Sequence, residues 1–166
     1  MKPIALIGFM GSGKTTVGQM LAQEVSKPCV DLDEAIETRE GRPITDIFAT
    51  EGEDYFRQLE YNVLQEFARE DVIVATGGGI VKEEANRKVL RHDFLTVWLH
   101  ISYETVAKRL EGDTTRPLWQ QPEHVKRALY DSRLSLYESC AETIVEVDHK
   151  SLPTLIKEVK RYITVI

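Results

Sequence analysis

The sequence predicts an α/β sandwich built on a parallel sheet with right-handed crossovers. Three observations carry this. Five short apolar runs, at 4–7, 29–32, 72–76, 95–101 and 143–147, alternate with longer stretches of helical period. Few of the runs alternate cleanly with polar residues, which suits strands covered on both faces. No repeat, low-complexity tract or Pro/Ser-rich linker interrupts the 166 residues, so the chain reads as one domain, 1–166.

The elements follow in order. The opening MKPIALIGFMG has one lysine and a short apolar run that leads directly into a glycine loop, so it reads as a buried first strand rather than a signal peptide. After the loop, Val17, Leu21 and Val25 recur every four residues and predict a helix. The second strand is 29–32. Phe56, Leu59, Val63 and Phe67 form the stripe of a further helix. The third strand, 72–76, runs into Gly77, Gly78 and Gly79. After the fourth strand comes a Gly/Asp/Thr/Pro segment, EGDTTRPLW, and a helix over 122–139. The fifth strand precedes Ser151 and Pro153, which open a last helix striped by Leu155, Ile156, Val159 and Ile163. Folds of this class bind ligands at the carboxyl ends of the strands, where both glycine loops fall.

Composition narrows the class. Hydrophobic residues at 42% can fill a core, and no apolar run approaches the ~20 residues of a membrane helix. The net charge of −6 argues against broad nucleic-acid binding but leaves room for a local anion pocket. Cys29 and Cys140 show no CxxC spacing and read as small apolar residues of a reducing cytosol. A cytoplasmic protein without membrane or nucleic-acid partners is expected.

The stretch GFMGSGKTTVG, residues 8–18, carries the chemistry. Gly8, Gly13, Lys14 and Thr15 fit G-x-x-x-x-G-K-[ST], with a strand before and a helix after. Glycines let backbone N–H groups turn inward to cage phosphate oxygens, and the helix start adds the positive end of its dipole. Gly11, Ser12, Gly13, Lys14, Thr15 and Thr16 are therefore candidate nucleotide contacts. Lys14 would meet the β- and γ-phosphates, and the Thr15 hydroxyl would ligate Mg²⁺. A nucleoside triphosphate with magnesium is expected.

Small size, no NKxD-type guanine motif, and a fourth strand ending in His100 rather than Asp favour a small-molecule kinase over a GTPase or motor. Asp31 and Asp33 follow the second strand, and a period of two would point them the same way. Asp31 would act on magnesium, and Asp33 would orient or deprotonate an attacking hydroxyl. For Asp33 a helix N-cap competes on local evidence. Arg57 and Arg133 lie on predicted helices, where a solvated ion pair and a surface charge compete with ligand binding. Arg116 sits in the aperiodic segment as a lid would place it. The triple glycine offers bare amides, or a turn that only needs positive φ.

The ordered set GFMGSGKTTVG, DLD, IFATEGEDYFRQLE, TGGGIV, TTRPLW and the R-x-x-L-Y around Arg133 resembles shikimate kinase over nearly the whole chain. The resemblance implies transfer of the ATP γ-phosphoryl group to the 3-hydroxyl of shikimate. It implies a three-layer P-loop kinase of the nucleoside monophosphate kinase type. The sheet would be five-stranded and parallel, in the order 2-3-1-4-5, with a lid near 112–122 and a substrate-binding helical region near 33–61. Asp33 would bind the reacting hydroxyl and act as base. Arg57 and Arg133 would hold the substrate carboxylate, and Gly78 with Gly79 a ring hydroxyl. Arg116 would reach the phosphates from the lid, Lys14 would stabilise the transferring group, and Thr15 with Asp31 would serve Mg²⁺. Arg109 and Lys150 fall where the family contacts the base. A monomer is expected. Trp119 departs from the pattern, which puts a smaller aliphatic residue after R-P-L; in the lid it would alter closure rather than substrate. A gluconate kinase-like enzyme and a regulatory nucleotide-binding module are the rival readings.

Overall fold

The computed structural model describes residues 2–164. Its strands are β1 (Ile4–Ile7), β2 (Cys29–Asp31), β3 (Ile73–Ala75), β4 (Leu95–His100) and β5 (Thr143–Glu146). The helices are α1 (Lys14–Val25), α2 (Leu32–Glu40), α3 (Ile44–Glu51), α4 (Glu53–Phe67), α5 (Glu84–Asp93), α6 (Tyr103–Arg109), α7 (Glu123–Cys140) and α8 (Leu152–Thr164). Short 3-10 turns cover Ile80–Lys82 and Pro117–Trp119.

The strands form one parallel sheet in the order β2-β3-β1-β4-β5, as the family resemblance implies. Each predicted strand is present; the first is unchanged, the third is trimmed by one residue at both ends and the others by one residue at one end. Val72, Thr76, Ile101 and Val147 leave the ladder although their side chains stay buried. Leu32 leaves it because Asp31 turns the chain into α2 by accepting the Glu34 N–H at 3.1 Å. The helix predicted over 122–139 is shifted by one residue to Glu123–Cys140, with Pro122 extended at ψ 155° in the cap position.

Coverage of both strand faces holds for β1, β3 and β4 and fails at the sheet edges. β2 is half-buried throughout, and β5 alternates, with Ile144 exposed and Val145 buried. α1 packs on α8, while α4, α5 and α7 pack in succession, giving the three layers. The register aligns Leu6 with Ala75 and Ile7 with Trp98, and the chain leaves β1 and β3 on the same side of the sheet. Thr76 fixes that exit by donating its hydroxyl to the Leu6 carbonyl at 2.8 Å. The two glycine loops are neighbours for this reason. Among the described residues, no helix is long and apolar enough to cross a membrane.

Candidate active site

The first loop is shaped by close backbone approach. A β-carbon on Gly8 would lie 2.6 Å from the Leu99 carbonyl oxygen of β4 and 2.9 Å from Ser12 Oγ, so only glycine fits. Gly13 takes φ 92° and caps α1 without a side-chain bond, and the first turn of α1 carries no acidic residue. The N–H groups of that turn therefore face no competing carboxylate from their own helix, and the site fits an anion. Lys14 is buried, with Nζ donating only to the carbonyls of Gly8 (2.6 Å) and Phe9 (3.1 Å). Burial lowers its pKa to about 8, against which Asp33 pulls upward and Arg116 downward. An ammonium held by two neutral carbonyls is poised for a negatively charged ligand.

Thr15 Oγ1 donates to Asp31 Oδ2 at 2.9 Å, so the two expected magnesium residues touch. Among the described residues no group of three or more His, Cys, Asp or Glu could hold a metal. A hydroxyl beside one carboxylate fits a cation that keeps several waters and takes its other ligands from phosphate, as Mg²⁺ does.

The helix-cap question resolves in favour of Asp31, and the period-two argument for Asp33 fails because the strand ends at Asp31. Asp33 lies in the first turn of α2, half-buried, with Oδ1 itself buried and unpartnered. Burial, then the charge of Asp31, raises its pKa to about 6, with Lys14 and Arg57 pulling the other way. It faces the second loop: a β-carbon on Gly77 would lie 3.0 Å from Asp33 Oδ1 and 3.5 Å from Glu60 Oε2.

Gly77, Gly78 and Gly79 lack positive φ, which overturns the turn explanation for them. Gly77 is crowded by the Asp33 carboxylate at 3.0 Å and Gly79 by the Arg57 guanidinium, Cζ at 2.9 Å, whereas a β-carbon on Gly78 would make only ordinary contacts, 3.4 Å from the Met10 nitrogen at the nearest. Arg133 Nη1 donates to the Gly78 carbonyl at 2.8 Å, and the Tyr137 hydroxyl donates to the same oxygen at 2.6 Å. Arg133 is 3% exposed, so the surface-charge alternative is wrong. Arg57 does pair with Glu60 at i,i+3, Nη1 to Oε1 2.8 Å, but this pair is buried, not solvated. Glu60 is fully buried with Oε2 unpartnered, and burial lifts its pKa to about 7 despite Arg57.

Lys14, Thr15, Asp33, Gly78 and Arg116 line one cleft of about 490 Å³ together with Met10; Gly11, Gly13, Thr16 and Asp31 also border it. Arg116 is ion-paired with Asp113. Arg109 Nη1 donates to the Gly11 carbonyl at 2.8 Å, which sets it at the edge of the first loop. Lys150 pairs with Glu158 of α8 at 3.0 Å. Ser12 Oγ is buried without a partner. Trp119 is buried in ring contact with Phe9 and Tyr103 rather than exposed on a loop.

Sequence reasoning gave Glu60 no role of its own and missed Tyr137 as a ligand of the second loop. The spacing of Arg133 and Tyr137, one turn apart on α7, was the signal for the latter. The arrangement combines an anion cradle, a lysine and a carboxylate in one cleft, with two buried guanidinium groups set against the glycine loop that borders it, which is equipment for moving a phosphoryl group onto a hydroxyl of an anionic acceptor.

A shikimate kinase family model matches residues 10–164. A shikimate kinase of Bacillus cereus (strain G9842) is 39% identical over 168 residues, covering 99% of this chain and 100% of that protein. Among solved structures, shikimate kinase from Acinetobacter baumannii in complex with shikimate superposes with a TM-score of 0.92 at 35% identity, covering 99% of this chain and 94% of that one. Shikimate kinase from Aquifex aeolicus superposes with a TM-score of 0.85 at 32% identity, covering 98% and 96%. A match of this extent, on a cleft of this chemistry, means that the chain belongs to the shikimate kinase family of ATP-dependent kinases.

Proposed function

We propose that the chain transfers the γ-phosphoryl group of ATP to the 3-hydroxyl of shikimate, giving shikimate 3-phosphate and ADP, on the route to chorismate and the aromatic amino acids. The observation that carries this reading is the convergence of Asp33, Arg57 and Arg133 on the triple-glycine loop, beside the Lys14 cradle. A planar carboxylate suits bidentate guanidinium groups, which explains two buried arginines in an acidic protein. A substrate hydroxyl suits the unpartnered Asp33 oxygen.

In this reading Arg57 and Arg133 hold the substrate carboxylate, and Gly78 and Gly79 offer backbone amides to a ring hydroxyl. Asp33 orients the 3-hydroxyl and accepts its proton as the oxygen–phosphorus bond forms and the bond to ADP breaks. Lys14 and Arg116 stabilise charge on the transferring group, and Gly11, Ser12, Gly13, Thr15 and Thr16 cradle the phosphates. Thr15 and Asp31 hold Mg²⁺, directly or through water. When bound, Mg²⁺ neutralises charge on the β- and γ-phosphates. Residues 112–122 form a lid that brings in Arg116 and excludes water, so that ATP is not hydrolysed instead. The helical region 33–61 binds shikimate. Arg109 contacts the nucleotide base. Lys150 joins it only by leaving Glu158. The protein works as a cytoplasmic monomer without membrane or nucleic-acid partners.

Isolation of the product tests this. Incubation with MgATP and shikimate is expected to yield one phosphate ester, with phosphorus coupling in NMR to the proton on carbon 3. A phosphate on another oxygen would overturn the placement of Asp33.

A further inference from the structure

We infer that Trp119 is a positioning residue for phosphoryl transfer, its indole seating the end of the lid on Phe9 and so holding Arg116 to the loop that carries Lys14. The inference rests on the function proposed above and deepens it.

One 3-10 turn separates Arg116 from Trp119. The Trp119 N–H donates to the Arg116 carbonyl at 3.0 Å, the Gln120 N–H to the Pro117 carbonyl at 3.1 Å, and Pro117 fixes the intervening φ. Where the Trp119 ring goes, the Arg116 backbone follows. Trp119 is 3% exposed, whereas its neighbour Leu118 is 50% exposed, so it is the indole that seats the turn in the core. The indole meets the Phe9 ring edge-on, centroids 5.9 Å apart, lies 6.1 Å from Tyr103, and carries Lys126 Nζ 4.9 Å from its centroid. Phe9 is buried in turn and meets the Tyr130 ring at 5.2 Å, and the Tyr130 hydroxyl is tied to the Ile101 carbonyl.

Phe9 is also the residue whose carbonyl accepts Lys14 Nζ. The ring stack therefore joins the two cations that flank the transferring phosphoryl group: Lys14 through the Phe9 backbone, Arg116 through the 3-10 turn. The other end of the lid has polar ties but no ring seated in the core: Gly112 sits at φ 76° with open space around it, and Asp113 is held by the Leu110 carbonyl, by Thr115 and Arg116 at its carboxylate and by Gln120 at its carbonyl. Closure then swings residues before Arg116 about a seat at Trp119.

The test begins with shikimate-dependent ADP release by the wild-type protein; its absence would defeat the proposed function itself and this inference with it. Given that activity, W119A should lower kcat by about 10- to 10²-fold, the scale of a small misplacement, with the shikimate KM nearly unchanged. W119F should restore most of the loss. The deciding measurement is a double-mutant cycle with R116A. If Trp119 acts through Arg116, W119A adds little in the R116A background; a merely structural role gives the same fold loss in both. Equal losses, or a loss confined to KM, would overturn the inference. If W119A does not fold, W119L enters the same cycle, and a W119L variant with wild-type kcat also overturns it.

Discussion

Arg57 lies against the backbone of Gly79 with no room for a side chain between them: a β-carbon on Gly79 would meet Arg57 Cζ and Nη1 at 2.9 Å. The contact sets the direction of the guanidinium, and Glu60 fixes it from the other side at 2.8 Å. Gly79→Ala should push Arg57 out of line and raise the shikimate KM by at least ~10-fold, the misplacement scale for a clamping residue, while ATP affinity stays put. Calorimetric titration of each ligand separately checks this. Equal weakening of both would mean that the variant disturbs the whole loop.

Asp33→Asn keeps the shape of the side chain and removes the base. Turnover should fall by at least ~10²-fold with nucleotide binding nearly intact. Rapid-quench measurement of the first turnover separates the chemical step from product release. A burst of wild-type rate would remove Asp33 from its assigned role.

The same residue gives a pH signature of defined sign. Its pKa stands at about 6 in the fold against an ordinary 3.8, chiefly through burial. Activity that needs the carboxylate should fall as pH drops through 6, seen in kcat/KM with both substrates below saturation. Stability runs the other way. A raised carboxyl pKa contributes stability that is present below 3.8 and lost as pH rises through 6. The neutral Asp33→Asn variant should therefore be more stable than wild type at pH 8, by on the order of 2 kcal/mol, and equal to it near pH 3.5. Urea unfolding of the unliganded proteins at the two pH values reads the difference.

Arg133 is bonded to the Gly78 carbonyl through Nη1 at 2.8 Å. Arg133→Lys retains the charge but loses the planar pair of donors, so shikimate binding should weaken by about 10-fold or more. Unchanged shikimate kinetics in a folded variant would assign Arg133 to holding the glycine loop alone.

Much of this was legible in the residues, because the strongest signals are short and local. The strand–glycine loop–helix context fixed the phosphate cradle, and Val17, Leu21 and Val25 marked the helix behind it. Sheet order was not readable from periodicity and came from family resemblance. Asp31 and Asp33 do not share a strand face because the strand period ends two residues before Asp33, at Asp31, which caps α2. The bareness of Gly77 and Gly79 follows from Asp33 and Arg57, which approach from two different helices. The seat of Trp119 on Phe9 spans the chain from its first loop to its lid. Such contacts leave no local pattern in the chain.

The most direct test of the central claim is ADP release from MgATP with shikimate, gluconate and nucleoside monophosphates offered in parallel. Release that depends on shikimate alone is the predicted result. Release driven by gluconate or a nucleoside monophosphate, or none with any acceptor while ATP still binds, would contradict it.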